Sequence, residues 1–284
     1  MTTFLGTGAM GSALAGATLS NRRNVRVWNR NPDRTAPLAD RGAQVLPKIE
    51  PPTDGPLVAC LFDHLSVHES LDPIADDLRG HVLINLTTTT PGQARELAAW
   101  AARHGIAYLD GAIMAVPEMI GGPGAVVLYS GRAEVFEQHR DLLQLWGEAR
   151  YFGADAGLAS LYDLAMLSGM YQMFAGFLHG AAMVADAQVP AVEFAQLQAP
   201  FLATMTQGLA DYAQTVDARD YTAPGQQSLR FTETALAALE QASGEAGVGT
   251  QTLHPVRRLV RNQIESGHGE HGTARIYEEF RSRR

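Results

Sequence analysis

The chain predicts a dinucleotide-binding α/β domain followed by an all-helical region, and three observations carry that reading. A glycine fingerprint, Gly6-x-Gly8-x-x-Gly11, stands between a short apolar run and a helical stretch. Up to residue 153, β-rich runs alternate with helical ones, the signature of a doubly wound parallel sheet. Beyond Gly153 the strand-like runs stop, and the chain enters one long apolar stretch at 157–187.

Taken in order, strand-like runs lie at 2–5, 24–28, 57–61, 81–85, 106–113 and 125–130. Helical stretches fall between them at 9–20, 33–41, 65–78, 91–104 and 133–145. The Pro/Gly-rich stretch 47–56 reads as a surface loop inside this domain. The 31 residues of 157–187 would make a helix about 45 Å long at 1.5 Å per residue, more than one small domain needs. It reads as a bridge into a helical region broken near Pro190 and at 220–225, 244–249 and 267–272. The expected organisation is a nucleotide-binding Rossmann domain at 1–153, an interdomain helix at 154–187, and a helical dimerisation and substrate domain at 188–284.

At 284 residues the chain is long enough for two cores. A formal charge of −8 argues against a nucleic-acid surface. The single cysteine, Cys60, lies in an apolar run and permits no intrachain disulfide, which fits a cytoplasmic protein. No signal peptide precedes the first strand. The long helix carries Asp163, Gln172, His179 and Asp186 and lacks basic flanks, so a membrane span is not expected. Lys48 is the only lysine, leaving 21 arginines among the 22 basic residues. A mechanism that needs a lysine on a helix is therefore nearly excluded.

The glycines point to a nucleotide. Gly6 permits the tight turn, Gly8 lets the backbone approach a pyrophosphate, and Gly11 allows close helix–strand packing. Ala9 and Met10 open the helix whose N-terminus faces the phosphates. An NAD-binding chain usually ends its second strand in an acid; here Asn29 and Arg30 stand there, with Arg34 a turn later. These groups suit a 2′-phosphate that a carboxylate would repel, so NADPH is the expected cofactor. A plain solvated turn role for Arg30 stays open. At the end of the fourth strand, Asn85, Thr87 and Thr88 are candidates for the nicotinamide end, although a threonine run also finishes a strand and caps the helix after Pro91.

Asp163 is the unusual residue of the long helix. At a 3.6-residue period it shares a stripe with Leu167, Met170, Phe174, Phe177 and Ala181. An acid heading an apolar stripe must be paired, lie at a cleft, or do chemistry, because burying it alone is costly.

The segments at 6–15, 27–30, 85–88, 109–117, 120–121, 151–165 and 176–182, in this order and at natural spacing, resemble the NADPH-dependent imine reductases, relatives of the 3-hydroxyacid dehydrogenases. The likeness weakens over the last 80 residues. The dehydrogenases keep a catalytic lysine on the long helix where imine reductases have Asp or Tyr; this chain has Leu161-Tyr162-Asp163. The resemblance implies hydride transfer to the carbon of a C=N bond, with Asp163 holding the iminium cation or protonating the imine. It implies an interlocked homodimer and an apolar substrate pocket drawn from Met114, Val116, Met170, Tyr171, Phe174, Phe177, Met205 and Gln207. Members with Asp at this place often deliver (R)-amines from small cyclic imines. Tyr171 stands where a tryptophan is usual, which bears on substrate size. A hydroxyacid dehydrogenase and an NADPH-binding sensor without turnover remain the alternatives. No metal is expected: His268 and His271 sit in a glycine loop without a third ligand.

Overall fold

Strand alternation decides which side chains each face of the sheet buries. In the computed structural model, which describes residues 1–281, Phe4, Val58 and Ile84 point to one core, with Leu14, Tyr129, Phe136 and Trp146. Their strand neighbours Leu5, Leu57, Ala59 and Leu83 point to the other, with Val67, Leu71, Leu97 and Trp100. This period of two with both faces apolar is what a sheet covered by helices on each side requires.

The elements up to residue 151 are β1 (Thr2–Leu5), α1 (Ala9–Ser20), β2 (Val25–Trp28), the short α2 (Ala36–Ala39), β3 (Gln44–Val45), β4 (Leu57–Ala59), α3 (His64–Leu71), β5 (Val82–Asn85), α4 (Pro91–Arg103), β6 (Ala107–Met114), β7 (Val126–Gly131), α5 (Ala133–Leu143) and β8 (Glu148–Tyr151). They form one eight-stranded sheet in the order β3-β2-β1-β4-β5-β6-β7-β8. The first six strands have the Rossmann order and are parallel. β7 departs from the expected parallel sheet: it runs antiparallel to β6, with Asp110 opposite Ser130, and β8 follows it in parallel. The physical reason lies in the connection. Between β6 and β7 only a 3₁₀ turn, Pro117–Met119, is present, and a parallel return needs a crossover, usually a helix, of a dozen or more residues.

Two expected helices are shorter than the sequence reading placed them. The stretch 33–41 is a 3₁₀ turn at Pro32–Thr35 followed by α2, and 65–78 changes at Asp72-Pro73 from α3 to a 3₁₀ segment; proline has no N–H with which to continue the α-helical ladder. α4 begins with a capping box, in which Thr90 accepts from the Gln93 N–H and Gln93 reaches back, with Pro91 in the first turn.

The chain divides into two compact units, Met1–Ser168 and the residues from Gly169 onward. The division falls inside α6 (Gly157–Ala185), whose 29 residues span about 43 Å. Residues 282–284 of the expected C-terminal domain lie outside the described residues. The second unit contains the end of α6, then α7 (Ala191–Met205), α8 (Leu209–Ala218), α9 (Leu229–Glu245), α10 (His254–Gln263) and α11 (Tyr277–Arg281). Inside it His179 of α6 bonds Ser243 of α9 at 2.9 Å and Thr252 at 3.1 Å. Arg257 of α10 pairs with Glu233 at 2.8 Å and also with Glu240. Among the described residues no helix is long and apolar enough to cross a membrane.

Candidate active site

The crevice for a nucleotide lies where the strand order reverses, at the carboxyl ends of β1, β2 and β4. A cavity of about 580 Å³ opens there, lined by Gly6, Gly8, Ala9, Met10 and Gly11 from the glycine loop and Asn29, Arg30 and Arg34 from beyond β2. Ligands of open α/β sheets bind at this switch point. Gly6 has φ +91°, and a Cβ on it would collide with the Cys60 carbonyl. A Cβ on Gly11 would collide with the Gly6 carbonyl, so helix and turn meet only because both positions are glycine. Gly8 meets nothing within 4 Å, which leaves backbone open to the cavity. α1 has neither a side-chain cap nor an acid in its first turn, so its first N–H groups remain available to an anion. These features fit a dinucleotide pyrophosphate.

Four of the cofactor candidates are engaged within the chain. Asn29 accepts the Thr7 N–H at 3.0 Å and donates to the Asn31 carbonyl at 2.8 Å. It braces the glycine loop against the β2 turn. Arg30 pairs with Glu69 of α3 at 2.9 Å, both side chains more than half exposed. Such a pair is worth at most about 1 kcal/mol, less than a charge-assisted bond to phosphate offers, so Arg30 can exchange partners. Asn85 is fully buried; its amide lies 3.3 Å from both the Tyr108 hydroxyl and the Asp110 carboxyl. Thr87 accepts the Leu61 N–H at 3.0 Å. Neither Asn85 nor Thr87 is among the residues that line this cavity. Arg34 makes no ion pair with a described residue and faces the cavity. The opposite wall comes from Leu61, Phe62, Ser66 and Ser70, which motif reading missed; the signal was their position just after β4, the other strand of the switch point.

Asp163 lies two turns into α6, and its mounting is built from the sheet. Ser130 of β7 donates to the Ala156 carbonyl at 2.8 Å and accepts the Ala159 N–H at 2.9 Å. Asp155 accepts the Gly157 N–H at 3.0 Å and both Arg95 bonds at 2.8 Å. A Cβ on Gly157 would strike Arg95 and the Pro91 carbonyl, so α6 starts flush against α4. One turn before Asp163, Ser160 donates to Asp110 at 3.0 Å and bonds Thr89 at 3.1 Å. Tyr108 donates to the same Asp110 at 2.7 Å.

Both acids have unusual environments. Asp163 is 5% exposed, and burial pushes its pKa up to about 6. No cation pairs with it among the described residues. Asp110 is fully buried, and burial lifts it to about 7 against the pull of the bonds from Tyr108, Ser160 and Asn85, with the charge of Asp163 adding to the rise. An uncompensated carboxyl of this kind is where cation binding or proton transfer is expected. The Cys60 thiol lines the cavity, but burial pushes it up to about 12, which removes it as a nucleophile.

The expected pocket residues fall into two groups. Met114 packs on the Ala112, Leu128 and Ala159 cluster beside the start of α6, and Val116 is 55% exposed beyond it. In the helical unit Tyr171, Phe174 and Met205 are exposed, as is Gln207, and Met170 is half-buried. Phe177 stacks on Phe194 with ring centres 6.0 Å apart.

Two family models match the chain and meet just before α6. Residues 2–154 match the family model for the NAD binding domain of 6-phosphogluconate dehydrogenase. Residues 155–282 match the model for the C-terminal domain of NADPH-dependent reductive aminase-like proteins. The chain is 37% identical to an NADPH-dependent reductive aminase of Aspergillus oryzae, over 98% of this chain and 96% of that one. It superposes at a TM-score of 0.93 and 40% identity on a reductive aminase of Aspergillus terreus in complex with NADPH4, cyclohexanone and allyl amine, covering 98% of each chain. An imine reductase of Myxococcus stipitatus in complex with NADP+ superposes at 0.91 with 32% identity, over 98% of this chain and 99% of that one. With a glycine crevice edged by arginines, a buried acid where a lysine would serve a hydroxyacid dehydrogenase, and these likenesses over its whole length, the chain belongs to the family of NADPH-dependent imine reductases and reductive aminases, oxidoreductases that act on C=N bonds.

Proposed function

We propose that the protein reduces an iminium ion to an amine, that Asp163 holds the cation as an ionised carboxylate, and that the working form is a homodimer. The observation that carries this reading is a buried Asp163 with no cation beside it among the described residues. NADPH, when bound, supplies the hydride. Gly6, Gly8 and Gly11 admit its pyrophosphate to the backbone, while Arg34 and, after release from Glu69, Arg30 take the 2′-phosphate. In a poorly hydrated site a carboxylate favours the protonated over the neutral imine, which makes the carbon electrophilic, and it stabilises the approach to the transition state. Met114, packed with Ala159 one turn before Asp163, would add apolar surface on the side of the acid and help keep water from a hydrolysable C=N bond. A hydroxyacid dehydrogenase is disfavoured because the lone lysine, Lys48, is in the loop after β3 and not on α6.

The dimer rests on the exposed apolar side chains of the helical unit. Tyr171, Leu178, Val192 and Leu197 are 65%, 65%, 74% and 70% exposed, which is the pattern of a surface that another chain covers. The helical candidates Met170, Tyr171, Phe174, Met205 and Gln207 then act in the assembled enzyme.

Two substrates test the role of Asp163. 2-Methyl-1-pyrroline must be protonated to react, whereas its N-methyl iminium salt carries a permanent charge. Asp163→Ala is expected to reduce turnover of both by about 100-fold or more, with NADPH binding intact. Wild-type turnover of the N-methyl salt by the variant would make Asp163 a proton donor instead. Unaltered rates on both would end the assignment, and nucleotide binding without turnover of any imine would favour a sensor.

A further inference from the structure

We propose a second site on this protein: a divalent transition-metal clamp formed by His64 and His68 of α3 and Glu96 of α4. The two histidines are four residues apart on a helix, so their rings lie over one another on one face, with centres 4.9 Å apart. Glu96 reaches across from the neighbouring helix. One of its carboxylate oxygens lies 3.4 Å from Nε2 of His64 and 2.9 Å from Nε2 of His68. One ligand atom from each of the three falls within 4.8 Å of the others. Zinc bonds of about 2.0–2.1 Å in a tetrahedron put neighbouring ligand atoms about 3.3 Å apart, so the three groups need only small side-chain movements to enclose an ion.

The surroundings add a second sign of a ligand set. Asp72 lies 3.0 Å from Nδ1 of His68. A carboxylate there can keep the proton on Nδ1 while an ion replaces the proton that Nε2 shares with Glu96 at 2.9 Å, the arrangement that orients histidines in zinc sites. Trp100 packs edge-on against the His68 ring, with centres 5.7 Å apart, and limits its rotation. The side chains of His64, His68 and Glu96 keep 22%, 19% and 45% of their exposure, so an ion can enter and water can complete the coordination. Two imidazoles and a carboxylate suit zinc, cobalt or nickel better than magnesium or calcium.

The pair His268 and His271 offers no equivalent site. Nε2 of His268 is bonded by the Arg275 guanidinium at 2.8 Å, and the described residues supply no third ligand there. The α3 site has a different outlook. Ser66 and Ser70 of the same helix line the nucleotide cavity, and Glu69 holds Arg30. An ion joining α3 to α4 therefore braces the wall of the cofactor crevice from behind, outside the site of reduction.

The experiment uses tag-free, full-length protein stripped with a chelator. Zinc is titrated by calorimetry and by thermal melting, and cobalt(II) is added as a visible-absorption probe. Expected are one zinc per chain, a rise in Tm of several degrees, and the absorption of tetrahedral cobalt. His68→Ala should remove saturable binding, and Asp72→Asn should weaken it about 10–100-fold while leaving NADPH affinity within about twofold. The Asp72 variant keeps the test decisive if His68→Ala does not fold. Absence of saturable binding, or binding and a cobalt spectrum unchanged in these variants, overturns the proposal.

Discussion

In the sheet-bearing unit Phe4, Leu5, Val27, Leu57, Ile84 and Trp146 are each 1% exposed or less, whereas in the helical unit Leu178, Val192 and Leu197 stand at 65–74%. The first unit has sealed both faces of its sheet with its own helices. The second has joined its helices by polar contacts, such as Arg257 with Glu233 and His179 with Ser243, and left apolar side chains in water. Covering a fully exposed Leu or Val contributes about 1.5–3 kcal/mol. A handful of them therefore matches the whole stability of an ordinary domain, about 5–15 kcal/mol. The difference separates two tasks: the glycine crevice is lined by the sheet unit alone, and in the proposed dimer the helical unit's apolar side chains are the ones a partner would cover.

The sharpest way to separate these tasks is Asp163→Ala. Turnover of a cyclic imine should fall about 100- to 1000-fold while the nucleotide dissociation constant, read by NADPH fluorescence, moves less than about twofold. A parallel loss of NADPH affinity would mean that the acid belongs to the crevice. Next comes Leu178→Glu, which places a charge on the open apolar face. Sedimentation should show a monomer, with NADPH still bound and imine turnover down about 10- to 100-fold. A fully active monomer would break the comparison. Within the sheet unit, Arg34→Ala should raise the KM for NADPH about tenfold and leave that for NADH nearly unchanged, since one charge-assisted bond is worth about 1.5–3 kcal/mol. Arg30→Ala should do less, because Arg30 must first leave Glu69.

The smallest effect is on stability. The pKa of Asp163 is about 6 in the folded chain and near the ordinary 3.9 when unfolded. Between these values the folded state keeps a proton that the unfolded state releases, so this residue's contribution is complete below about pH 4 and is lost as pH rises through about 6. The difference amounts to at most about 3 kcal/mol. Asp163→Asn does not titrate, so it should melt higher than wild type at pH 8 and level with it near pH 4. Equal melting at both pH values would show that the carboxyl is not desolvated.

Much of the sheet unit was legible because its signals are local. β1 and α1 fall on the expected residues, since a glycine turn joins them with no freedom of length. β3 and β8 were not foreseen: Gln44–Val45 is two residues long, and Glu148–Tyr151 alternates only between exposed and half-buried positions. Strand direction at β7 was not legible from the strand itself, because it depends on the connection before it. At the site, the glycines and arginines could be read from spacing. Asn85 and Thr87 show why polar residues at a strand end are hard to read: such residues look the same whether they face a ligand or hold the chain, and both make bonds within the chain here. The Asp110 network joins β6 to α6 and the turn before α4, so no single window contains it. The spacing of His64 and His68 was visible, but Glu96 is brought to them only by the fold.

The single lysine has a consequence for handling the protein in solutions that contain aldehydes or ketones. Free carbonyl compounds condense with primary amines, and a surface rich in lysine would accumulate adducts during use. Here the one ε-amine, Lys48, lies exposed in the loop between β3 and β4, and it lines neither the glycine crevice nor the Asp163 mounting. The remaining basic side chains are 21 arginines, whose guanidinium groups stay protonated and resist such condensation at neutral pH. The same chain can be tethered through that amine, which lies outside the lining of the glycine crevice.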